Sequence, residues 1–128
     1  MISKEEILRL HHLSISRYGG ADGIRDEGLL ESAITRSYQT FGGEDLYLTT
    51  YEKAGAIMES IIINHPFVDG NKRTGFLAMF ALLQRGSIKL ISSDKDIYSF
   101  IISISTGEIK FDDIVNWLKQ NSIPFKNT

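Results

Sequence analysis

The sequence predicts an all-α fold, a single-domain bundle of about six helices with a loop or small β-hairpin. Three observations carry that expectation. Apolar residues recur at helical spacing in separate stretches along the chain. Helix-start signatures open several of them, namely Ser3 with Glu6, Thr49 with Glu52 and Ser93 with Asp96. Residues 37–50 lose the period and gather aromatics and threonines around Gly42-Gly43. At 128 residues the chain fits one domain, 1–128, large enough to bury a core without disulfide or metal staples.

Taken in order, the first helix should run from about Ser3 to Tyr18, with Ile7, Leu8, His11 and Ile15 on one face and Gly19-Gly20 closing it. Asp26 opens a second helix striped by Leu29, Leu30, Ala33 and Ile34, ending near Arg36. A third, largely buried helix carries Ala54, Ile57, Met58, Ile61 and Ile62 and stops at about Asn64, because Pro66 disfavours helical geometry at His65. Residues 71–85 are almost apolar all round beyond Thr74, the pattern of a central core helix, and Gly86 ends it. Ile88 to Ile91 reads as a short extended link. A fifth helix follows with Ile97, Phe100, Ile101 and Ile104, closed by Gly107, and a sixth from about Phe111 to Gln120 buries Ile114, Trp117 and Leu118. Pro124 falls in a short tail, and Tyr18, Trp117 and Phe100 read as core or partly buried packing.

Composition narrows the function classes. Apolar residues at 42% and charged residues at 23% match soluble globular chains, not disordered ones. A formal charge of −2 supplies no global positive field, which argues against direct nucleic-acid binding through Lys72, Arg73 and Arg85. The chain has no cysteine, so disulfides, zinc thiolates and thiol nucleophiles are out, and a reducing cytoplasm suits it. The N-terminus lacks the basic start and apolar stretch of a secretion signal, and the longest apolar run, Phe76 to Leu83, falls short of the roughly twenty residues that cross a bilayer. A soluble, cytoplasmic protein without membrane partners is expected.

The chemistry concentrates in His65-Pro-Phe-Val-Asp-Gly-Asn-Lys-Arg-Thr-Gly75, a loop that runs into the first turn of the fourth helix. A helix N-terminus offers unpaired N–H groups and the positive end of the dipole, and Gly70 lets the backbone approach a bound group. Acids are favoured at such a position, yet Lys72 and Arg73 stand there, where they cost stability unless an anion arrives. Together the residues supply a base (His65), a hard-metal ligand (Asp69), an amide (Asn71) and two phosphate clamps, the parts needed to move a phosphorus group from a Mg-nucleotide to a hydroxyl. Each piece alone has a plainer reading: a structural histidine before proline, an ordinary Asp-Gly turn. The P-loop order Gly-Lys-Thr is absent, and His11-His12 reads as a half-exposed helix pair without a third metal ligand.

His65-Pro-Phe67-Val-Asp69-Gly70-Asn71-Lys72-Arg73-Thr74 resembles the signature of the Fic/Doc family, His-x-Phe-x-Asp/Glu-Gly-Asn followed by a basic pair, and its ending resembles the death-on-curing branch. Residues 23–36, Gly-Ile-Arg-Asp-Glu-Gly-Leu-Leu-Glu-Ser-Ala-Ile-Thr-Arg, resemble that branch too, so the similarity extends through about Leu90. The resemblance implies a Fic-type helical bundle, His65 as the base that takes a proton from a protein hydroxyl, Phe67 as the anchor of the loop and Asp69 as the Mg²⁺ ligand. It also implies an anion nest shaped by Gly70 and Asn71, with Lys72, Arg73 and Thr74 on the nucleotide phosphates and ATP as co-substrate. The segment around residues 41–50 sits where the family has a flap that aligns a target chain by strand addition; Phe41, Leu46 and Tyr47 are then docking residues, or equally core or edge-strand residues.

One departure is informative. Adenylyl-transferring members read Gly-Asn-Gly-Arg-x-x-Arg, whereas here Lys72 replaces the second Gly and Phe76 the last Arg. By resemblance to death-on-curing relatives this favours transfer of the terminal phosphoryl group to a Ser or Thr of a protein such as elongation factor Tu. Adenylyl transfer and a non-catalytic nucleotide- or partner-binding module are the alternatives. A self-inhibitory Ser/Thr-x-x-x-Glu-Gly/Asn helix is not matched by Thr40 to Asp45, whose two glycines suit no helix. The resemblance to death-on-curing proteins implies restraint by a separate antitoxin instead.

Overall fold

A computed structural model describes residues 1–125. In chain order its elements are α1 (Lys4–Tyr18), α2 (Glu27–Ser37), β1 (Thr40–Phe41), β2 (Glu44–Asp45), α3 (Thr50–Asn64), α4 (Asn71–Arg85), β3 (Ile88–Leu90), α5 (Asp94–Ser105), α6 (Phe111–Gln120) and β4 (Ser122–Pro124). The architecture is mostly helical, six helices with two small antiparallel strand pairs, consistent with the expected Fic-type helical bundle. Local chemistry places the ends. Ser3 Oγ accepts from the Glu6 amide at 3.2 Å while Glu6 returns the bond to the Ser3 amide, and Thr49 and Glu52 repeat the exchange at α3. Asp26 and Ser93 cap α2 and α5 through Leu29 and Asp96.

Helix α3 is the centre, packed by α2, α4, α5 and α6, with Ile57, Met58, Ile61 and Ile62 fully buried. At about 1.5–3 kcal/mol for each such side chain, these outweigh anything two-residue strands contribute. The functional loop therefore hangs between α3 and α4, the most extensive helix contact in the molecule. That contact depends on Gly75: a Cβ there would stand 2.8 Å from Ile62 Cγ1 and 3.2 Å from the Met58 carbonyl oxygen. Gly75→Ala is expected to lower stability by about 1–2 kcal/mol, overpacking outweighing the gain in helix propensity, and to lower Tm by several degrees. Thermal denaturation checks it.

Three expectations need correction. Helix α4 is not buried all round; Phe76 and Leu77 are half-buried because they border an open cleft instead of core, and Phe80 is exposed. Pro124 is not in a tail but ends β4, which pairs antiparallel with β3 in the register Ile88 to Pro124 and Leu90 to Ser122. A proline is tolerated at that terminal strand position, and the pairing partners lie too far apart in sequence for local pattern to reveal them. Tyr18 is exposed, its ring on the surface at the end of α1. The segment at 37–50 does form a hairpin, β1 to β2, turned by Gly42 and Gly43 with φ of 60° and 84°, the positive values that a two-residue turn between antiparallel strands demands.

Candidate active site

Helix α3 ends where Pro66 forces it to, and the residue that caps it, His65, adopts the left-handed conformation (φ 50°, ψ 61°) while its amide still donates to Ile61 O at 3.2 Å. A non-glycine residue in that region is strained and has to be held. The holding comes from both sides of the loop. Phe67 is buried and stacks on His11 of α1, ring centroids 3.9 Å apart and planes 8° from parallel. Asn71 turns its side chain back, accepting from the Phe67 amide and donating to the Phe67 carbonyl, both at 3.0 Å. Outside, residues 23–26 lie along the loop as a strap: the Arg25 and Asp26 amides donate to Pro66 O at 2.7 and 3.0 Å, Val68 N donates to Gly23 O at 3.0 Å, and Ile24 bridges Phe67.

The N-terminus of α4 is built without the usual cap. Gly70 is left-handed (φ 75°), no side chain caps the helix, and the first turn holds no acid. Its orphan amides and dipole are left for an anion. Asp69 stands beside this end, Oδ1 accepting from the Gly70 amide at 2.8 Å and Oδ2 from the Ala21 amide at 3.2 Å. These two N–H bonds, with Arg73 and His11 nearby, hold its carboxyl below the usual carboxylate range. Gly20 makes room for it, since a Cβ there would fall 2.7 Å from Asp69 Oδ2. Arg73 is tied to α1, donating to Gly19 O at 2.9 Å with its guanidinium 5.4 Å from the centre of the Tyr18 ring.

These groups share one open cleft of about 770 Å³ between α4 and α5. His65, Asp69, Gly70, Asn71, Lys72 and Arg73 line its polar end, and Phe76 and Leu77 with Ile97, Tyr98 and Ile101 form an apolar wall. A volume of this size admits a nucleotide-sized ligand, its anionic part at the helix end and its flat apolar part along the wall. Among the described residues no three His, Cys, Asp or Glu side chains converge as a metal cluster. A charged, exposed Asp69 nonetheless fits Mg²⁺, which is commonly held by one or two carboxylates together with phosphate oxygens and waters.

Not every expected residue reaches the cleft. Thr74 is fully buried with its hydroxyl unpaired and does not line the cleft, so a phosphate role does not fit its placement. Phe67 lies under the loop, and Asn71 spends its amide on the Phe67 backbone; what Asn71 can offer a ligand is its main-chain N–H. Phe41 and Leu46 are exposed on the hairpin, which removes the core reading for both, while Tyr47 packs on Phe111 and under Arg36. None of the three lines the cleft.

Two contributors escaped the sequence. His11 is not a half-exposed helix residue: it is buried, stacks on Phe67 and donates from Nε2 to Asp69 O at 2.8 Å. Its place on the apolar stripe of α1 was the available signal. Arg25 donates from Nε to His65 O at 2.6 Å and from a terminal nitrogen to Asn64 O at 2.7 Å, a contact across forty residues that no local pattern announces.

The sequence matches a family model and known relatives over most of its length. The model of the Fic/DOC family matches residues 1–83. The "Toxin Doc" of Mycolicibacterium smegmatis is 34% identical over 96 residues, covering 75% of this chain and 71% of that protein. The "Protein kinase doc" of Escherichia phage P1 is 29% identical over 119 residues, covering 93% of each chain.

Proposed function

The chain belongs to the Fic/Doc family, and on that premise we propose that it is a death-on-curing-like toxin that transfers the terminal phosphoryl group of Mg-ATP to a Ser or Thr hydroxyl of a protein. The observation that carries the reading is the convergence of His65, Asp69, Lys72 and Arg73 around an uncapped helix N-terminus at one end of a nucleotide-sized cleft. His65 takes the proton as the acceptor oxygen bonds to phosphorus, and the bond from phosphorus to the departing ADP oxygen breaks. The α4 amides with Lys72 and Arg73 stabilise the charge that spreads over the phosphoryl oxygens. Asp69 would hold Mg²⁺, which neutralises phosphate charge and fixes the nucleotide's orientation.

Phosphoryl rather than adenylyl transfer is supported by Lys72 on the rim and by Phe76, which gives the cleft an apolar wall where adenylylating relatives carry a second arginine clamp. The name of the phage relative points the same way. A separate antitoxin would restrain such a toxin, a reading in keeping with the word toxin in the name of the Mycolicibacterium relative, and the exposed Phe41 and Leu46 on the hairpin suit docking of an extended target segment. The test runs γ-labelled and α-labelled Mg-ATP in parallel with bacterial lysate proteins. Protein-bound label from the γ position is expected; label from the α position alone would make this an adenylyltransferase, and absence of both with intact nucleotide binding would leave a binding module.

A further inference from the structure

Everything that residues 23–26 donate across the loop lands on residues 64–66, and Gly23 accepts from Val68. The backbone bonds to Pro66 and from Val68 hold the loop as a unit, but the Arg25 side chain does something narrower. Its guanidinium bridges two successive carbonyls, Asn64 O at 2.7 Å and His65 O at 2.6 Å, at the C-terminal end of α3. The Asn64 carbonyl ends the helix and the His65 carbonyl belongs to its cap; neither accepts a bond within the helix and both lie at the negative end of the dipole, which favours a cation forking across them. The peptides thus fixed flank the Cα of the one residue in the loop that is both strained and placed to be the base: His65, at φ 50°. Fixing its carbonyl fixes ψ, and with ψ and φ set the direction in which the imidazole leaves the backbone is set too.

We propose that Arg25 is a positioning residue for His65, holding the base in its left-handed conformation through the two carbonyls and touching neither nucleotide nor acceptor. The assignment rests on the transfer reading above only for its catalytic consequence; the conformational consequence stands by itself. A plain helix-cap role would also lower stability when removed, so stability does not discriminate. Three things do: the backbone of His65, the division of the kinetic effect between kcat and nucleotide binding, and the grading from arginine to lysine, whose single ammonium lacks the planar fork.

The experiment compares wild type, Arg25→Lys and Arg25→Met as full chains. NMR couplings that report φ are read at His65, nucleotide affinity is measured by titration with Mg-ADP, and transfer is followed with the label found active in wild type. In Arg25→Met the positive φ of His65 is expected to average away while signals of the Trp117 indole stay native. Transfer falls at least tenfold, Mg-ADP affinity stays within about twofold, and Arg25→Lys lies between. An unchanged His65 coupling in folded Arg25→Met overturns the proposal, and so does loss of nucleotide affinity in step with turnover. If wild type transfers no label, the transfer reading falls and the coupling measurement still decides whether Arg25 sets the His65 backbone.

Discussion

Replacing His65 with alanine is expected to abolish group transfer, a loss of about 10²–10⁴-fold in turnover from removal of the base alone, while leaving the fold and nucleotide binding nearly intact. The separation is possible because the loop is held through the backbone at this residue. The His65 amide bonds to Ile61 O, its carbonyl takes the Arg25 bond, and the side chain is exposed at the cleft. Alanine keeps both main-chain bonds and buries nothing new. Its cost to stability should stay near the range of about 0.5 kcal/mol typical of surface substitutions. In the proposed arrangement the nucleotide phosphates would be met by the α4 amides, Lys72 and Arg73, none of which rests on the imidazole. The check is a set of three measurements on one preparation: transfer rate, thermal midpoint and Mg-ADP affinity. Wild-type transfer by His65→Ala would remove the base assignment, whereas joint loss of affinity would mean that the ring is part of the nucleotide site.

Local signals made most of this legible in the sequence, and the misses share one cause. The helix starts at Ser3, Thr49 and Ser93 were readable because a cap and its partner lie three residues apart, and the His65 boundary because Pro66 acts on its immediate neighbour. The family signature lies within ten residues, so it too was visible. What escaped was decided across the fold. Helix α4 reads as buried all round because periodicity records how apolar a face is, not whether another element covers it; Phe76 and Leu77 face a cleft. The β3 to β4 pairing joins segments more than thirty residues apart through backbone groups that carry no sequence label. Arg25 and His11 act on carbonyl oxygens of His65 and Asp69, and any residue supplies a carbonyl, so nothing in the loop's own sequence asks for them. The same limit applies to Thr74, whose place within the signature suggested a ligand role and whose helical phase turns it into the core.

Removing the charge of Asp69 should remove the metal dependence of nucleotide binding. Wild type is expected to bind ADP more tightly with Mg²⁺ than without it, by about tenfold or more, worth about 1.4 kcal/mol or more. In Asp69→Asn the two affinities should coincide. Asparagine is the better probe than alanine, because one side-chain oxygen can still accept from the Gly70 or Ala21 amide and keep the loop in place, whereas the charge that a hard cation requires is gone. The pH dependence separates this role from a structural one. Hydrogen bonds from Gly70 and Ala21, and the nearby Arg73 and His11, lower the carboxyl's pKa in the folded state. A group depressed in this way stabilises the fold above its unfolded pKa, and that contribution is lost only as pH falls through the lower folded value, a window below about pH 4. At this exposed position the stability effect is small. Metal-dependent binding should therefore persist down to that window in wild type and fail within it, as protonation takes away the ligand. Asp69→Asn should lack a metal-dependent component at any pH. A variant that retained wild-type Mg²⁺ dependence would place the cation on other groups, Asp94 on the α5 side of the cleft being the next acid along its lining.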